Sequence, residues 1–252
     1  YNSINSNTKL ISVMMANNEI GVLHPIKEIG ELCKKNNIIF HVDAAQAIGK
    51  IDVNIKEMSV DLLSISSHKV YGPKGVGCIY IDSRTMKNKV SPLVFGGAQE
   101  LGIRPGTLAS ANIVGFGEAC KITKNEIRED MSHIQSLTDH LLYRITSEIS
   151  DTILNGNKKQ RIPGNLNLTF MGLNDIPLIQ KLKNIAVSSG SACTSSSPSP
   201  SHVLSAIGLS KELIRSTIRI GIGKFNTQED IEYAANYIIR TINKLRVDKK
   251  GV

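Results

Sequence analysis

A lysine, an aspartate and a cysteine in this chain have the types and settings that cofactor and sulfur chemistry need. Asp43 ends the run IIFHVD, Lys69 follows LLSISSH before a glycine turn, and Cys193 lies in SSGSACTSSSPSPS. A lysine after a strand can be partly desolvated, which lowers its pKa and lets the amine attack a carbonyl. An aspartate at a strand end can face the ring nitrogen of a cofactor. A thiol in a small polar loop can act as a mobile nucleophile.

Each of these residues also has an ordinary explanation. Asp43 could cap a helix, Lys69 could be a surface charge and Cys193 could be an incidental thiol. The combination is far more specific than any one of its members. The functional explanation holds only if the predicted strands and helices place these three side chains near one another.

Strand and helix patterns alternate through the first half of the chain. Patterns typical of buried strands cover 9–15, 38–44, 61–66 and 75–81. Apolar residues at helical spacing cover 26–37, between the first two strands. This order predicts an α/β layer with a mainly parallel sheet. Asp43 and Lys69 then follow the carboxyl ends of strands, where such folds bind ligands.

The second half of the chain has a different pattern. Residues 110–149 are dominated by helix, and a long helix follows Thr227, with Asp230 placed for a capping box. Strands are predicted at NLNLTF (165–170), AVSS (186–189) and STIRIGI (216–222). We therefore predict a large domain over 1–120 and a smaller α+β domain over 121–252 that carries the cysteine loop.

Composition excludes several classes of function. The 252 residues carry a net charge of +8, but the charges are scattered and only 4% of residues are aromatic, which disfavours direct nucleic-acid binding. No run of about 18 residues is free of charge and apolar, so no membrane span is predicted. The 4 cysteines form no CxxC, which favours free thiols in a reducing compartment and no resident metal. Cys33, Cys78 and Cys120 lie in apolar patterns and are interpreted as incidental.

Several short motifs occur in an order that is similar to a known family. NNEIG, HVDAAQ, SSHKVYGPKGVG, RPGT and SSGSACTS follow one another along nearly the whole chain. They resemble the NifS/IscS-type cysteine desulfurases, which belong to the class V aminotransferase group of fold-type I enzymes that use pyridoxal 5'-phosphate (PLP). The resemblance implies the C-terminal part of a fold-type I large domain with a mainly parallel sheet, followed by a smaller α+β domain.

The resemblance implies a role for each matching residue around the cofactor. Lys69 would hold PLP covalently and later remove the α-proton of the substrate, and Asp43 would pair with the ring nitrogen. Thr107 of RPGT would reach the phosphate of the partner subunit's cofactor, which implies a homodimer. The implied cofactor-binding set is Asn18, Asp43, Gln46, Ser66, His68, Lys69 and Thr107.

The resemblance also implies the substrate and the sulfur acceptor. Arg219 would grip the carboxylate of L-cysteine with its planar guanidinium, and Asn167 is a second candidate for the same group. Cys193 would attack the substrate sulfur, which leaves alanine and a persulfide. The persulfide would pass to an iron–sulfur scaffold or to a sulfur carrier for tRNA thiolation, and Cys193 could also serve as a transient iron–sulfur ligand.

The family pattern is incomplete in this sequence. Family members have a segment before the position that matches Tyr1, with a Gly-Ala-Thr phosphate loop and a histidine that stacks on the cofactor. Ala98, Leu101, Gly221 and Lys224 also depart from the usual residues. We therefore expect a C-terminal portion of a desulfurase. Alternatives are a truncated, inactive homologue that acts as a binding or regulatory module, a selenocysteine lyase, or a plain class V aminotransferase. The expected location is the bacterial cytoplasm or an organellar matrix.

Overall fold

The computed structural model describes residues 2–83, 85, 90–173, 176–189 and 200–250. It divides into two compact units. The first unit comprises Tyr1–Ala16 and His24–Ile127, and the second comprises Asn17–Leu23 and Arg128–Val252. The short segment 17–23 therefore belongs with residues far along the chain. The assignment of a cofactor domain to 1–120 and a cysteine-loop domain to 121–252 stays a prediction.

The first unit is built on a four-stranded sheet with the order β1-β2-β3-β4. Its strands are β1 (Leu10–Met14), β2 (Ile39–Asp43), β3 (Leu62–Ser66) and β4 (Gly77–Ile81). β1, β2 and β3 are parallel, as the sequence predicts, whereas β4 runs antiparallel to β3. The connection from β3 to β4 is too short for the crossover that a parallel pair needs, which explains the reversal.

Helices and alternating side chains give the first unit its core. Helix α1 (Ile26–Lys35) buries Ile26, Gly30 and Cys33, and it ends with lysines that suit the negative end of its dipole. In β2, Phe40 and Val42 are fully buried, whereas their neighbours are half-buried. This alternation is the two-residue period of a strand, and it fixes which face of β2 meets the core.

The second unit has a three-stranded antiparallel sheet with the order β5-β6-β7. Its elements are β5 (Thr152–Leu154), β6 (Asn165–Phe170), β7 (Thr217–Gly221), the short helices α3 (His202–Ala206) and α4 (Lys211–Arg215), and the long helix α5 (Gln228–Lys250). Helix α2 (Ser110–Glu148) begins in the first unit and ends in the second. Every residue of β6 is buried, and its apolar side chains pack in one cluster with those of α2, β7 and α5.

Several elements differ from the sequence prediction. AVSS forms only an isolated bridge, in which Ser188 pairs with Arg219 through both backbone hydrogen bonds (3.0 and 2.7 Å). Strand β5 and the helices α3 and α4 were not predicted, because each is too short to show a period. The capping box of α5 is confirmed: Asp230 N donates to Thr227 Oγ1 (3.2 Å), and Thr227 N donates to Asp230 Oδ2 (3.0 Å). Within the described ranges, no helix combines the length and apolarity that crossing a membrane requires.

Candidate active site

The parallel pairing of β2 and β3 brings the predicted cofactor residues to one edge of the first sheet. Asp43 is the last residue of β2 and lies opposite Ser64 of β3, and Ser66 is the last residue of β3. The carboxyl ends of parallel strands meet at the same edge, so the Asp43 carboxylate and the segment after Ser66 start from neighbouring positions.

A single 3₁₀ turn presents His68 and Lys69. It spans Ser67–Val70, and Tyr71 ends it in the left-handed conformation (φ 63°). Ser67 and Val70 are buried, and Val70 packs with Phe116 of α2. Because the first and last residues of the turn are anchored, the two residues between them are exposed together at the sheet edge.

The backbone around Asp43 is held on both sides. Met15 N donates to the Asp43 carbonyl (2.8 Å), and Ala44 N donates to the Ser64 carbonyl (3.0 Å). The Asp43 side chain makes an Asx turn, in which Oδ1 accepts a hydrogen bond from Ala45 N (2.9 Å). The carboxylate therefore has a fixed orientation before any ligand binds.

Gln46 and Thr107 also belong to the first unit. Gln46 is half-buried, and its Oε1 accepts a hydrogen bond from Lys50 Nζ (3.2 Å). Thr107 is exposed in the segment between the 3₁₀ turn Gln99–Gly102 and α2. Their roles toward the cofactor stay predictions.

In the second unit, the predicted substrate residues are cross-strand neighbours. Asn167 of β6 pairs with Arg219 of β7, so their side chains lie on the same face of the sheet. Arg219 Nη1 donates to the Asn18 carbonyl (2.9 Å), and Asn167 Nδ2 donates to the Glu19 carbonyl (3.2 Å). The sheet thus brings the three predicted residues Asn18, Asn167 and Arg219 together, and it does so through the backbone of the NNEIG segment.

A buried polar ladder lies beside Asn167. Asn155 Nδ2 donates to Asn167 Oδ1 (2.7 Å) and to Thr169 Oγ1 (2.8 Å), and the Thr169 hydroxyl bonds to that of Thr217 (2.7 Å). All four side chains are buried. These bonds fix the orientation of the Asn167 amide. Sequence reasoning missed the ladder, although the polar residues at every second position of NLNLTF were a signal for it.

Glu19 and Arg161 are two further residues that sequence reasoning missed. Glu19 is 1% exposed, and its Oε2 accepts a hydrogen bond from Ser201 Oγ (2.6 Å). Arg161 Nη2 donates to the carbonyls of Ile20 (2.5 Å) and Asn155 (3.2 Å), and burial lowers the pKa of its guanidinium. A glutamate inside NNEIG and an arginine before a strand carry no periodic signal, so only the fold reveals them.

Cys193 lies outside the described residues, and so do its neighbours from 190 to 199. Sulfur transfer requires a cysteine that is readily ionised to the thiolate, so the pKa values of the other three cysteines are informative. Partial desolvation raises the pKa of Cys33, Cys78 and Cys120, which disfavours their thiolates at neutral pH. Cys33 is buried, whereas Cys78 and Cys120 are exposed.

Among the residues that the structure covers, no group of 3 or more His, Cys, Asp or Glu could hold a metal ion.

The residues at the sheet edge of the first unit fit PLP. A primary amine on Lys69, a hydroxyl on Ser66 and an imidazole on His68 come from one turn and its preceding residue, and they suit an aldehyde and a phosphate. The oriented carboxylate of Asp43 suits a protonated ring nitrogen. This donor set is therefore compatible with PLP, and the role of each residue toward the cofactor stays a prediction.

Comparison with known proteins gives the family. The profile of the family described as aminotransferase class-V matches residues 1–234. This chain belongs to that family. Members of the family, including the cysteine desulfurases, are PLP-dependent.

Curated relatives of this class-V chain include bacterial cysteine desulfurases. Cysteine desulfurase IscS of Rickettsia prowazekii is 51% identical over 245 residues, which covers 97% of this chain and 60% of that protein. Cysteine desulfurase IscS of Rickettsia bellii is 48% identical over the same length. The chain thus spans about 60% of the length of the curated relatives it matches.

Solved structures of the same type support the fold. A NifS-like protein from Rickettsia africae matches with a TM-score of 0.82 and 32% identity, covering 97% of this chain and 63% of that one. SspA in complex with cysteine matches with a TM-score of 0.74 and 35% identity, covering 90% of this chain and 62% of that one. The mixed α/β architecture of this chain is that of the NifS-like enzymes.

Proposed function

We propose that this chain carries the lysine, the cofactor carboxylate and the sulfur-accepting cysteine of a PLP-dependent cysteine desulfurase. The reaction would convert L-cysteine to L-alanine and leave the sulfur as a persulfide on Cys193. The observation that carries the proposal is the meeting of Asp43 and the Ser66–Lys69 segment at one sheet edge. The match to the class-V family and to named cysteine desulfurases supports the choice of reaction.

The residues of the first unit would handle the cofactor and protons. When bound, PLP supplies an electron sink for the bonds of the substrate's Cα. The Lys69 amine would take the proton from Cα and return it at the end of the turnover. The Asp43 carboxylate, oriented by Ala45 N, would keep the ring nitrogen protonated. Ser66 and His68 would donate hydrogen bonds to the phosphate, and Gln46 would lie beside the ring oxygen.

Sulfur transfer would then involve Cys193 and the substrate thiol. The Cys193 thiolate forms a bond to the substrate sulfur while the bond between that sulfur and Cβ breaks. The electron pair of the broken bond remains with the carbon fragment, which gains a proton there and becomes alanine. The net change converts a thiol and cysteine into a persulfide and alanine, so no external oxidant is needed.

Arg219 would bind the substrate carboxylate. Its guanidinium presents a planar set of donors, and Nη1 already donates to the Asn18 carbonyl at 2.9 Å. That contact helps to orient the guanidinium plane. Asn167 was predicted as a second carboxylate ligand, but its amide is fully buried and engaged with Glu19 and Asn155. Its contribution to substrate binding would therefore be indirect.

A homodimer is the expected assembly. Leu93, Phe95 and Leu101 precede Thr107 in sequence and are 94%, 84% and 86% exposed, which is unusual for large apolar side chains. A second copy of the protein that covers this segment would bury them and bring Thr107 to the partner subunit's cofactor. The sulfur acceptor would be an iron–sulfur scaffold or a sulfur carrier, and the compartment would be reducing, such as the bacterial cytoplasm.

The test uses the purified whole protein that contains this chain, loaded with PLP. We expect a cofactor absorbance band and equal amounts of alanine and released sulfide when L-cysteine and a reductant are added. Lys69→Ala should abolish the covalent cofactor band. Cys193→Ala should keep that band but abolish sulfide release.

The alternatives predict other outcomes. A binding or regulatory module would show no band and no turnover, and would be recovered with an intact desulfurase. A selenocysteine lyase would prefer selenocysteine by a large factor. A plain aminotransferase would release no sulfide and would be indifferent to the loss of Cys193, so persistence of cysteine turnover in Cys193→Ala overturns the proposal.

A further inference from the structure

Three successive backbone carbonyl groups of the NNEIG segment accept hydrogen bonds from side chains. Arg219 donates to the Asn18 carbonyl, Asn167 to that of Glu19, and Arg161 to that of Ile20. The segment is also closed on itself, because Asn17 Oδ1 accepts hydrogen bonds from the N–H groups of Glu19 (2.9 Å) and Ile20 (3.0 Å). Its position and shape are therefore determined by the second unit.

Gly21 ends this turn in a conformation that favours glycine. Its φ is +72°, and a Cβ at this position would meet Asn165 Oδ1 at 2.8 Å. The turn is thus packed directly against β6.

The Glu19 side chain is the part of this segment that the turn itself does not explain. A carboxylate that is only 1% exposed is costly to bury unless it is hydrogen-bonded. Ser201 Oγ supplies such a bond at 2.6 Å. Glutamate is not needed to fill space in a turn, so its burial beside a serine hydroxyl indicates a specific contact.

The hydroxyl of Ser201 has a fixed direction in this contact. It accepts a hydrogen bond from Leu204 N (3.1 Å), because Ser201 is the N-cap of α3. Its single proton is therefore available for Glu19, and an ionised carboxylate can only accept. The bonds run in one direction, from the Leu204 N–H through the Ser201 hydroxyl to the Glu19 carboxylate.

The two ends of the segment that carries Cys193 both connect to NNEIG. Before the segment in sequence, Ser188 pairs with the backbone of Arg219, and the Arg219 side chain donates to the Asn18 carbonyl. After the segment in sequence, the Ser201 hydroxyl donates to the Glu19 carboxylate. Residues 190–199 lie outside the part of the chain that the structure describes. Their flanking residues are thus tied to two adjacent residues of one turn.

We infer that Glu19 is a positioning residue that, through Ser201, fixes the far end of the Cys193 segment relative to Asn18. The inference rests on the proposed function, in which Cys193 receives the sulfur of the substrate. Because Glu19 is only 1% exposed, its side chain is not accessible to substrate or cofactor. Glu19 would act by fixing the position of Ser201, the N-cap of α3. Ser201 follows the Cys193 segment in sequence, so its position fixes where that segment ends.

The test compares sulfur transfer with proton exchange in the PLP-loaded whole protein. Glu19→Gln removes the charge at constant shape, and Ser201→Asp keeps an acceptor for the α3 cap but places a second carboxylate against Glu19. Both variants should lower the rate of persulfide formation on Cys193 about tenfold or more, since a hydrogen bond to a charged group is lost. The exchange of the substrate α-proton with deuterated water, and the KM for cysteine, should change less than about twofold.

Matched variants separate positioning from stability. Ser201→Thr keeps both the cap and the donor and should restore persulfide formation to nearly the wild-type rate. Ser210 caps α4 through Leu213 N, so Ser210→Ala loses a cap of the same type without touching Glu19 and should leave sulfur transfer unchanged. Loss of transfer in Ser210→Ala equal to that in Ser201→Asp would overturn the inference.

A second readout does not depend on turnover. In the cofactor-free protein, the rate at which iodoacetamide alkylates Cys193 should change at least threefold in Glu19→Gln and in Ser201→Asp, but not in Ser210→Ala. Unchanged alkylation together with an unchanged ratio of sulfur transfer to proton exchange refutes the role of Glu19. If the wild type exchanges the α-proton but forms no persulfide, the proposed function fails, and the alkylation rates alone then decide the inference.

Discussion

Asn167 and Arg219 lie opposite each other on β6 and β7 and donate hydrogen bonds to the carbonyl groups of two adjacent residues, Glu19 and Asn18. The cross-strand register explains this geometry, because paired residues present their side chains on one face about 5 Å apart. Arg219 therefore has a structural contact in addition to its proposed contact with the substrate carboxylate.

The first prediction concerns this dual use of Arg219. Arg219→Lys should raise the KM for cysteine about tenfold to a hundredfold, because a lysine ammonium cannot donate in one plane to both a carbonyl and a carboxylate. Steady-state kinetics of the PLP-loaded protein measure the change. Arg128→Lys, at an exposed position, serves as the control and should leave KM unaltered. An unchanged KM in Arg219→Lys would remove Arg219 from the substrate site.

The second prediction concerns the charge of Asp43. Asp43→Asn can keep the hydrogen bond from Ala45 N, so the local turn should persist and the protein should still bind PLP. Without the carboxylate, no negative charge would keep the ring nitrogen of PLP protonated. We therefore expect kcat to fall by at least about 100-fold, which corresponds to a loss of about 2.7 kcal/mol of transition-state stabilisation. Absorbance spectra and single-turnover rates check this. A variant with nearly full kcat would show that Asp43 only shapes the turn.

The third prediction concerns the polar ladder beside Asn167. Asn155→Leu leaves the acceptors on Asn167 and Thr169 without their donor in a buried environment. The free energy of unfolding should fall by about 2–4 kcal/mol, since each orphaned buried group costs about 1–3 kcal/mol. Denaturant titration measures it. Asn184→Ala, at an exposed position, should change stability by less than about 0.5 kcal/mol.

Much of this fold was predictable from the sequence because its strands are apolar runs of ordinary length. The strands that end at Asp43 and Ser66 were predicted within a residue or two, and so was the edge at which their carboxyl ends meet. The direction of β4 depends on the length of a connection rather than on a residue pattern, and a mainly parallel sheet accommodates one reversed strand.

The polar interior of the second unit was not predictable in the same way. Asn155 and Glu19 look like surface residues by type, and they are buried only because partners far along the chain satisfy them. The pairing of Ser188 with Arg219 likewise joins single residues rather than strands. Sequence periodicity reports which face of an element is apolar, but it carries no information about isolated polar contacts.

The fourth prediction concerns pH and the contact between α2 and α5. Glu232 accepts hydrogen bonds from His140 (2.5 Å) and Arg144, and these donors lower the pKa of its carboxyl. Because the pKa is lower in the folded state, this contact stabilises the protein fully above the ordinary glutamate pKa of 4.5, and the stabilisation disappears as the pH falls through the folded value.

The measurement is the unfolding free energy of wild type and Glu232→Gln between pH 3 and pH 7. The wild type should be the more stable protein at the upper end of that range, and the difference should narrow as the pH falls below about 4.5. Glu148→Gln changes a neighbour of Arg144 and serves as the comparison, since it leaves the contact with His140 intact. A difference that does not vary with pH would contradict the coupling.

Residues 17–23 have a consequence for the order of events during synthesis. The segment is made before its hydrogen-bond partners, which follow 141 to 201 residues later in the chain. At about 5–20 residues per second, the Asn18 carbonyl waits about 10–40 s before Arg219 is made. A cut between Ile127 and Arg128 would separate this segment from the unit it completes. The two units are therefore compact in space but cannot be expressed as two contiguous halves, and the second one closes only when β7 has been synthesised.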